Sequence, residues 1–159
     1  MNEYKVREFS PSDLDAVIKI NRMVLPENYP VFFFKLHYEN FPKAFLVAES
    51  EGRIVGYVMC RVETGKLYTR GSVGRQGHII SLAVVPEMRR RGIATSLMKE
   101  VLKNLIEIYG VDEYYLEVRV SNSPAISLYK KLGFKPFKII RGYYRDGEDA
   151  YLMVREAPL

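Results

Sequence analysis

Residues 81–95, SLAVVPEMRRRGIAT, constrain the fold of this chain more than any other stretch. The segment opens with an apolar run suited to a buried strand. After Pro86, three arginines and Gly92 lead into an amphipathic pattern that predicts a helix. The first turn of a helix has unpaired N–H groups and a partial positive charge, and a glycine there lets an anion approach the backbone. Such a junction of strand and helix indicates an α/β protein that binds phosphate groups.

The phosphate-binding interpretation competes with a simpler one, in which the arginines only solvate the start of a helix. The segment is neither a P-loop nor a dinucleotide-binding turn, because GxxxxGK[ST] and GxGxxG are both absent. Seven basic residues and two acids lie between Arg61 and Arg91, which accounts for the whole net charge of +5. A local patch of this kind suits phosphates on a small molecule or on nucleic acid. Aromatic residues are not interleaved with the arginines, which disfavours nucleic acid.

Composition predicts one folded cytoplasmic domain over residues 1–159. Apolar residues make up 48% and charged residues 27% of the chain, which excludes a disordered linker. The first ten residues contain no hydrophobic signal segment, and no apolar run is long enough to span a membrane. Cys60 is the single cysteine, so an internal disulfide cannot form and a reducing compartment is expected.

Hydrophobic periodicity and turn residues predict the element order β-α-α-β-β-β-α-β-α-β-β, an α/β fold with a mixed sheet of seven strands and helices on both faces. The first helix should begin at Ser10 as N-cap, and the last at Asn122 or Ser123 and end at Gly133. Residues 64–77 contain four glycines and three basic residues and are expected to form a flexible loop. The strands are expected at residues 4–9, 44–50, 53–63, 77–85, 113–120, 134–144 and 150–155, and the other helices at 31–40 and 90–109. Glu51 and Gly52 are expected to join the second and third strands in a hairpin.

Several motifs resemble those of one known family. The pattern Arg89-x-x-Gly92-x-Ala94 matches the acetyl-CoA motif R/Q-x-x-G-x-G/A of the GNAT acetyltransferase superfamily. Residues 121–126 and 129–134, SNSPAI and YKKLGF, resemble the SN-x-x-A-(x)n-LY-x-x-x-GF signature of the same superfamily. Within it, residues 25–29, 142–144 and 147–151 are similar to protein N-terminal acetyltransferases, namely the NatA catalytic subunit and archaeal RimI-type enzymes. The resemblance covers the whole chain and implies the GNAT fold.

The resemblance implies acetyl-CoA as the cosubstrate, with no metal required. Main-chain N–H groups at Leu82, Ala83 and Val84 would donate to the thioester oxygen if a bulge frees them from the sheet. Asn122 and Tyr129 would line the pantetheine and thiol end. The remaining residues expected to bind the cofactor are Arg89, Arg90, Arg91, Gly92, Ile93, Ala94 and Thr95.

Acetyl transfer to an amine requires a base, because an α-amino group with a pKa near 8 is mostly protonated at neutral pH. Of the two histidines, His37 fits a packed position in the second helix, and His78 opens the strand that leads to the phosphate site. The resemblance implies that His78 and Glu117 face each other and act as a base through water. Tyr129 would protonate the leaving thiolate. Each of the three has a purely structural alternative, and a His–Glu pair falls short of the three ligands of a catalytic zinc.

Glu27, Tyr29, Tyr143 and Tyr144 are the peptide-binding residues that the resemblance implies. Tyrosine can hold a peptide backbone through its hydroxyl, although Tyr143 and Tyr144 also suit an ordinary strand end. The acid at Glu27 is similar to that of family members that accept substrates with small first residues. Family members with a hydrophobic residue at this position act on proteins that retain their initiator methionine. Alternatively, Glu27 is a solvated acid in a turn.

The sequence thus predicts an acetyl-CoA-dependent N-terminal acetyltransferase that acts on nascent or ribosomal proteins, with association with the ribosome. Ser-, Ala- and Thr-starting proteins should be preferred, with some activity on Met. The alternative within the family is an enzyme for lysine side chains or small amines. A nucleic-acid-binding domain is a further, disfavoured alternative, and no membrane partner is expected.

Overall fold

A computed structural model describes residues 3–158, which form one mixed sheet of seven strands with four α-helices. The strands are β1 (Lys5–Glu8), β2 (Phe45–Ser50), β3 (Arg53–Lys66), β4 (Val73–Val84), β5 (Glu113–Arg119), β6 (Lys135–Ile140) and β7 (Ala150–Glu156). The helices are α1 (Leu14–Val24), α2 (Val31–Asn40), α3 (Ile93–Glu107) and α4 (Ser123–Lys131). No helix within residues 3–158 is long and apolar enough to cross a membrane.

The strand order is β1-β2-β3-β4-β5-β7-β6, and every neighbouring pair is antiparallel except β4 and β5. Helices cover both faces. Tyr57 in β3 accepts a hydrogen bond from Asn21 of α1, while a Cβ at the adjacent Gly56 would lie 3.4 Å from Leu97 of α3. Because successive strand residues point to opposite faces, α1 and α3 lie on opposite sides of the sheet. The predicted α/β fold, element order and two-sided helix packing are confirmed.

The starts of the first and last helices and the first hairpin occur where the turn residues placed them. Ser10 precedes a 3₁₀ turn that leads into α1, and its N–H donates to Oδ2 of Asp13 at 2.9 Å. Asn122 caps α4, because its Oδ1 accepts the N–H of Ala125 at 3.3 Å. Local side-chain bonds of this kind depend only on nearby residues, which is why sequence patterns identify them.

Residues 64–77 are not a flexible loop, contrary to the prediction. β3 and β4 remain paired as far as Lys66 and Val73, so only residues 67–72 connect them. The glycines serve close packing: a Cβ at Gly74 would lie 2.7 Å from the Asp112 carboxylate, and one at Gly77 would lie 3.1 Å from Leu105. Gly74 and Gly77 therefore permit the Asp112 and Leu105 side chains to approach the backbone of β4, and they do not mark a loop.

Two other boundaries differ from the prediction, because residues with positive φ delay the start of one helix and a turn ends one strand early. The predicted helix from residue 90 begins at Ile93, since Arg90 and Gly92 have φ values of +63° and +79°. The predicted strand to residue 144 ends at Ile140. Residues 141–149 form a connection in which the Asp149 carboxylate accepts the N–H of Gly142 at 2.8 Å.

Candidate functional site

The sheet opens between β4 and β5, and this gap positions the site. Parallel pairing comprises three residue pairs and ends at His78 and Tyr115. The N–H of Val85 donates to Val55 on the β3 side, so strand alternation directs the N–H groups of Leu82 and Val84 away from β3 and towards the gap. The N–H of Ala83, whose register partner is Tyr57, points towards β3 instead.

A bulge occurs in β4, just before the predicted donors at residues 82–84. Its extra residue is Ile80, since Ser81 pairs with Met59 and Ile79 with Cys60. The N–H groups of Leu82 and Val84 lie beyond this bulge, where β5 diverges from β4, whereas Ala83 contributes no donor to the gap. Two of the three predicted donors therefore face the gap.

The start of α3 forms a cradle of backbone donors. Gly92 is the N-cap in left-handed conformation, and the N–H groups of residues 90–95 make no hydrogen bond within residues 3–158. The side chains of Arg90 and Arg91 are exposed. Arg89 turns back instead, and its Nε donates to the Val84 carbonyl at 3.3 Å. Six free donors, the positive end of the helix dipole and two arginine side chains fit a pyrophosphate group.

His78 lies at the point where β4 and β5 diverge, and its ring binds a carboxylate on each side. Nε2 is 2.7 Å from Oε1 of Glu117, and Nδ1 is 2.9 Å from Oε2 of Glu63. The ring of Tyr115 stacks on the imidazole, with 4.0 Å between the ring centroids. The structure thus brings the predicted pair, His78 and Glu117, into direct contact. Glu63 and Tyr115 are additional residues that the sequence analysis missed.

Charge and hydrogen bonding determine the protonation of this cluster. Burial opposes ionisation of Glu63, but hydrogen bonds from His78, the Tyr115 hydroxyl and the Arg61 guanidinium outweigh it and lower the pKa of Glu63 to about 2. Burial also disfavours a charged imidazole, but the bonds to Glu117 and Glu63 prevail and raise the pKa of His78 above its usual 6.5.

No group of three or more His, Cys, Asp or Glu that could hold a metal ion occurs within residues 3–158. Glu63 and Glu117 bind opposite nitrogens of the His78 ring, so the three side chains do not converge on one point. The arrangement suits proton transfer, for which a carboxylate and an imidazole in contact are sufficient.

Two loops beside Glu117 contain the predicted peptide-binding residues. Tyr29 stacks on Phe33 with ring centroids 4.6 Å apart, and its hydroxyl donates to the Ile80 carbonyl at 3.4 Å. Tyr143 and Tyr144 lie in the connection between β6 and β7, with rings 4.9 Å apart. Burial raises the pKa of all three tyrosines, and the charges of Glu27 and Glu117 add to this effect. The structure therefore brings the four predicted residues together around Glu117.

Arg119 connects these loops and was not predicted. Its Nη2 lies 2.5 Å from Glu27, and its Nη1 lies 2.8 Å from Glu148 and 2.9 Å from Asp146. Its guanidinium carbon lies 4.1 Å from the centroid of the Tyr144 ring. Glu27 is therefore an ion-paired residue rather than a freely solvated turn acid.

Asn122 and Tyr129 have contacts that are more structural in character than predicted. The Asn122 side chain caps α4, as described above. Tyr129 is buried against Phe134, and its hydroxyl has no hydrogen-bond partner within residues 3–158. Burial raises the pKa of Tyr129 to about 12, so it stays protonated at neutral pH. His37 is a packed residue, as expected, with Nδ1–H donating to the Phe33 carbonyl at 2.8 Å.

Comparison with known proteins identifies relatives that match nearly the whole chain. The family model "Acetyltransferase (GNAT) family" matches residues 14–134. A protein of Sulfurisphaera tokodaii named N-alpha-acetyltransferase is 52% identical, over 99% of this chain and 94% of its own. The N-terminal acetyltransferase A complex catalytic subunit NAA10 of Arabidopsis thaliana is 39% identical, over 93% of this chain and 75% of its own. The crystal structure of Arabidopsis thaliana NAA60 in complex with acetyl-CoA superimposes with a TM-score of 0.85 at 28% identity, over 98% of this chain and 100% of that one.

Proposed function

The chain belongs to the GNAT acetyltransferase family, and we propose that it transfers acetyl groups from acetyl-CoA to the N-terminal α-amino groups of proteins. Its substrates are nascent or ribosomal proteins with small first residues, namely Ser, Ala and Thr, with some activity on Met. The names of the relatives support N-terminal acetylation, and the acetyl-CoA complex of a structural neighbour supports the cosubstrate. We place all 159 residues in one catalytic domain.

The observation that carries this proposal is the position of the His78–Glu117 pair. It lies at the gap between β4 and β5, beside the loops that contain Tyr29 and Tyr143. The donors of Leu82 and Val84 face the same gap. A base, a pair of N–H donors and a site rich in tyrosine therefore meet at one opening, as acyl transfer to a peptide amine requires.

In this mechanism, acetyl-CoA supplies the acetyl group as a thioester whose carbonyl oxygen gains negative charge during attack. The N–H groups of residues 90–95 and the two free arginines bind its phosphates. The His78–Glu117 pair takes a proton from the incoming ammonium group, directly or through one water, so that a neutral amine attacks. The N–H groups of Leu82 and Val84 stabilise the developing charge, and Tyr129 donates a proton to the departing thiolate.

The aromatic loops favour a peptide over a small free amine. Tyr29, Tyr143 and Tyr144 provide apolar ring surface and hydroxyl groups, which suits a chain with alternating backbone and side-chain groups. The proposed enzyme acts in the cytoplasm and associates with the ribosome. The basic patch supports association with the ribosome, because ribosomal RNA is negatively charged. The main role of Arg90 and Arg91 in this proposal is to bind the phosphates of acetyl-CoA.

Gly92→Val should abolish most acetyl-CoA binding, because a β-branched residue disfavours the left-handed backbone and covers the cradle. Acetyl-CoA at a hundredfold excess over Kd should stabilise the parent by about 2.7 kcal/mol, and this gain should disappear in the variant. Thermal unfolding with and without acetyl-CoA measures it.

Gly110→Val is the matched control, since Gly110 follows α3 with φ of +64° and open space around its Cβ position. Both variants carry the same backbone strain, but only Gly92→Val should lose stabilisation by acetyl-CoA. Equal stabilisation in the parent and in Gly92→Val would place the phosphate site elsewhere.

A panel of amines tests the proposed reaction class. We expect kcat/KM, measured by thiol release, to be highest for Ser-, Ala- and Thr-starting peptides with free N-termini. N-terminally blocked peptides with an internal lysine, and polyamines such as spermidine, should react far more slowly. A polyamine that reacts faster than every peptide would favour the small-amine alternative, and tight RNA or DNA binding without acetyl-CoA binding would exclude an enzyme.

A further inference from the structure

The Glu63 carboxylate accepts more hydrogen bonds than the Glu117 carboxylate. Its Oε2 accepts the Arg61 Nε–H at 2.6 Å and the His78 Nδ1–H at 2.9 Å, while its Oε1 accepts the Tyr115 hydroxyl. Among residues 3–158, the Glu117 side chain has one hydrogen bond, the 2.7 Å bond to Nε2 of His78. Three donors from three different residues fix the orientation of Glu63, whereas Glu117 is free to exchange its single partner.

This asymmetry decides which ring nitrogen of His78 exchanges a proton. An imidazole that bonds carboxylates at both nitrogens donates from both and is therefore cationic. When it loses one proton, the N–H that faces a fixed, ionised carboxylate is retained. Glu63 is such a partner, since the Arg61 guanidinium and the Tyr115 hydroxyl also donate to it and favour its ionised form. The proton consequently leaves from Nε2, on the side of Glu117 and the gap.

We propose that Glu63 is a positioning residue that retains the Nδ1 proton of His78 and so keeps Nε2 as the proton acceptor of the reaction. The inference rests on the proposed function. In the accepting state Nε2 carries a lone pair, and it takes one proton from the substrate ammonium group, directly or by way of Glu117 or water. The amine becomes neutral, the ring becomes cationic, and the Nδ1–H bond to Glu63 is unchanged.

Several charged or titratable groups face His78, and each bears on its titration. They come from three elements: Arg61 and Glu63 of β3, Tyr115 and Glu117 of β5, and His37 of α2. Both carboxylates favour the cationic ring. Removing the charge of Glu63 should therefore shift the titration of His78 to lower pH, and removing a donor to Glu63 should shift it to higher pH.

The Glu63→Gln and Tyr115→Phe variants test the inference through opposite shifts. Because the chain has only two histidines, ¹⁵N NMR of the imidazoles resolves His78, with His37→Phe for assignment. Glu63→Gln should lower the titration midpoint of His78 and remove the preference for Nδ1–H in the neutral ring. Tyr115→Phe retains the stacked ring and should raise the midpoint, because Glu63 then interacts more strongly with His78.

Activity provides the second readout. We expect Glu63→Gln to lower kcat by about tenfold or more and to move the acid limb of the kcat–pH profile to lower pH, with KM for acetyl-CoA unchanged. A lower kcat with no change in the profile or in the NMR midpoint would reduce Glu63 to a structural role and overturn the inference. The NMR readout requires no substrate, so failure of the parent to acetylate any N-terminus would overturn the proposed function alone.

Discussion

We expect the His78→Phe/Glu117→Gln double variant to lose kcat by roughly 10²–10⁴-fold, the range associated with general-base catalysis. Phenylalanine keeps a planar ring to stack on Tyr115, and glutamine keeps the shape of Glu117, so the fold should survive. Glu63 retains Arg61 and Tyr115 as partners in this variant. The phosphate cradle lies in α3 and its preceding turn, so acetyl-CoA should bind as it does in the parent. Single-turnover rates and acetyl-CoA affinity measure the two effects separately.

His37→Phe is the matched control for this experiment, because His37 is also buried but lies in α2, bonded to Phe33. It should retain most of the parent activity. The parent rate should rise with pH through the raised pKa of His78, since only the uncharged ring accepts a proton. A double variant with the parent rate from about pH 6 to about pH 9 would show that the amine loses its proton elsewhere.

Replacing Glu27 with Val should redirect the enzyme towards Met-starting peptides. In the proposed peptide site, the Glu27 carboxylate should attract the substrate ammonium group, and its polar side chain should disfavour a long apolar first residue. Valine removes the charge and provides apolar contact for methionine. We expect the ratio of kcat/KM for Ser- over Met-starting peptides to fall by about tenfold, the amount that one apolar contact can discriminate. An identical ratio in parent and variant would remove Glu27 from the specificity site.

Glu27→Gln separates charge from volume, because glutamine can still accept the bond from Arg119. It should weaken binding of all peptides while keeping the preference for Ser over Met. Acid-starting peptides should remain poor substrates for the parent. Glu27, Arg119 and residues 141–149 together carry four carboxylates and three arginines, so this region keeps a small negative charge.

The features that sequence predicted well depend on neighbouring residues. The cap at Ser10, the hairpin at residues 51–52 and the strand that precedes Gly92 all follow from short patterns with a local physical cause. The resemblance to a known family then supplied the pairing of His78 with Glu117, which no local pattern contains. The element order followed from the same patterns, because strand and helix periodicities differ.

The features that sequence missed depend on strand register and long-range contact. Arg61 and Glu63 lie two residues apart on one face of β3. Because residues 64–77 were interpreted as a loop, the pairing of β3 with β4 that places Glu63 beside His78 was not predicted. The partner of Glu27 is Arg119, 92 positions away, and it becomes visible only when β5 is placed beside the α1–α2 connection. The hydrophobic periodicity of each segment carries no information about contacts between residues that are so far apart in the sequence.

The site of acetylation on one peptide that carries both kinds of amine tests the central claim most directly. The peptide begins with Ser, has a free N-terminus and contains one internal lysine, and tandem mass spectrometry locates the added acetyl group. The α-amine has the lower pKa, about 8 against about 10.4 for lysine, so the His78–Glu117 pair deprotonates it more readily. We predict acetyl on the α-nitrogen and none on the lysine at early times. Acetyl on the lysine alone would contradict the account.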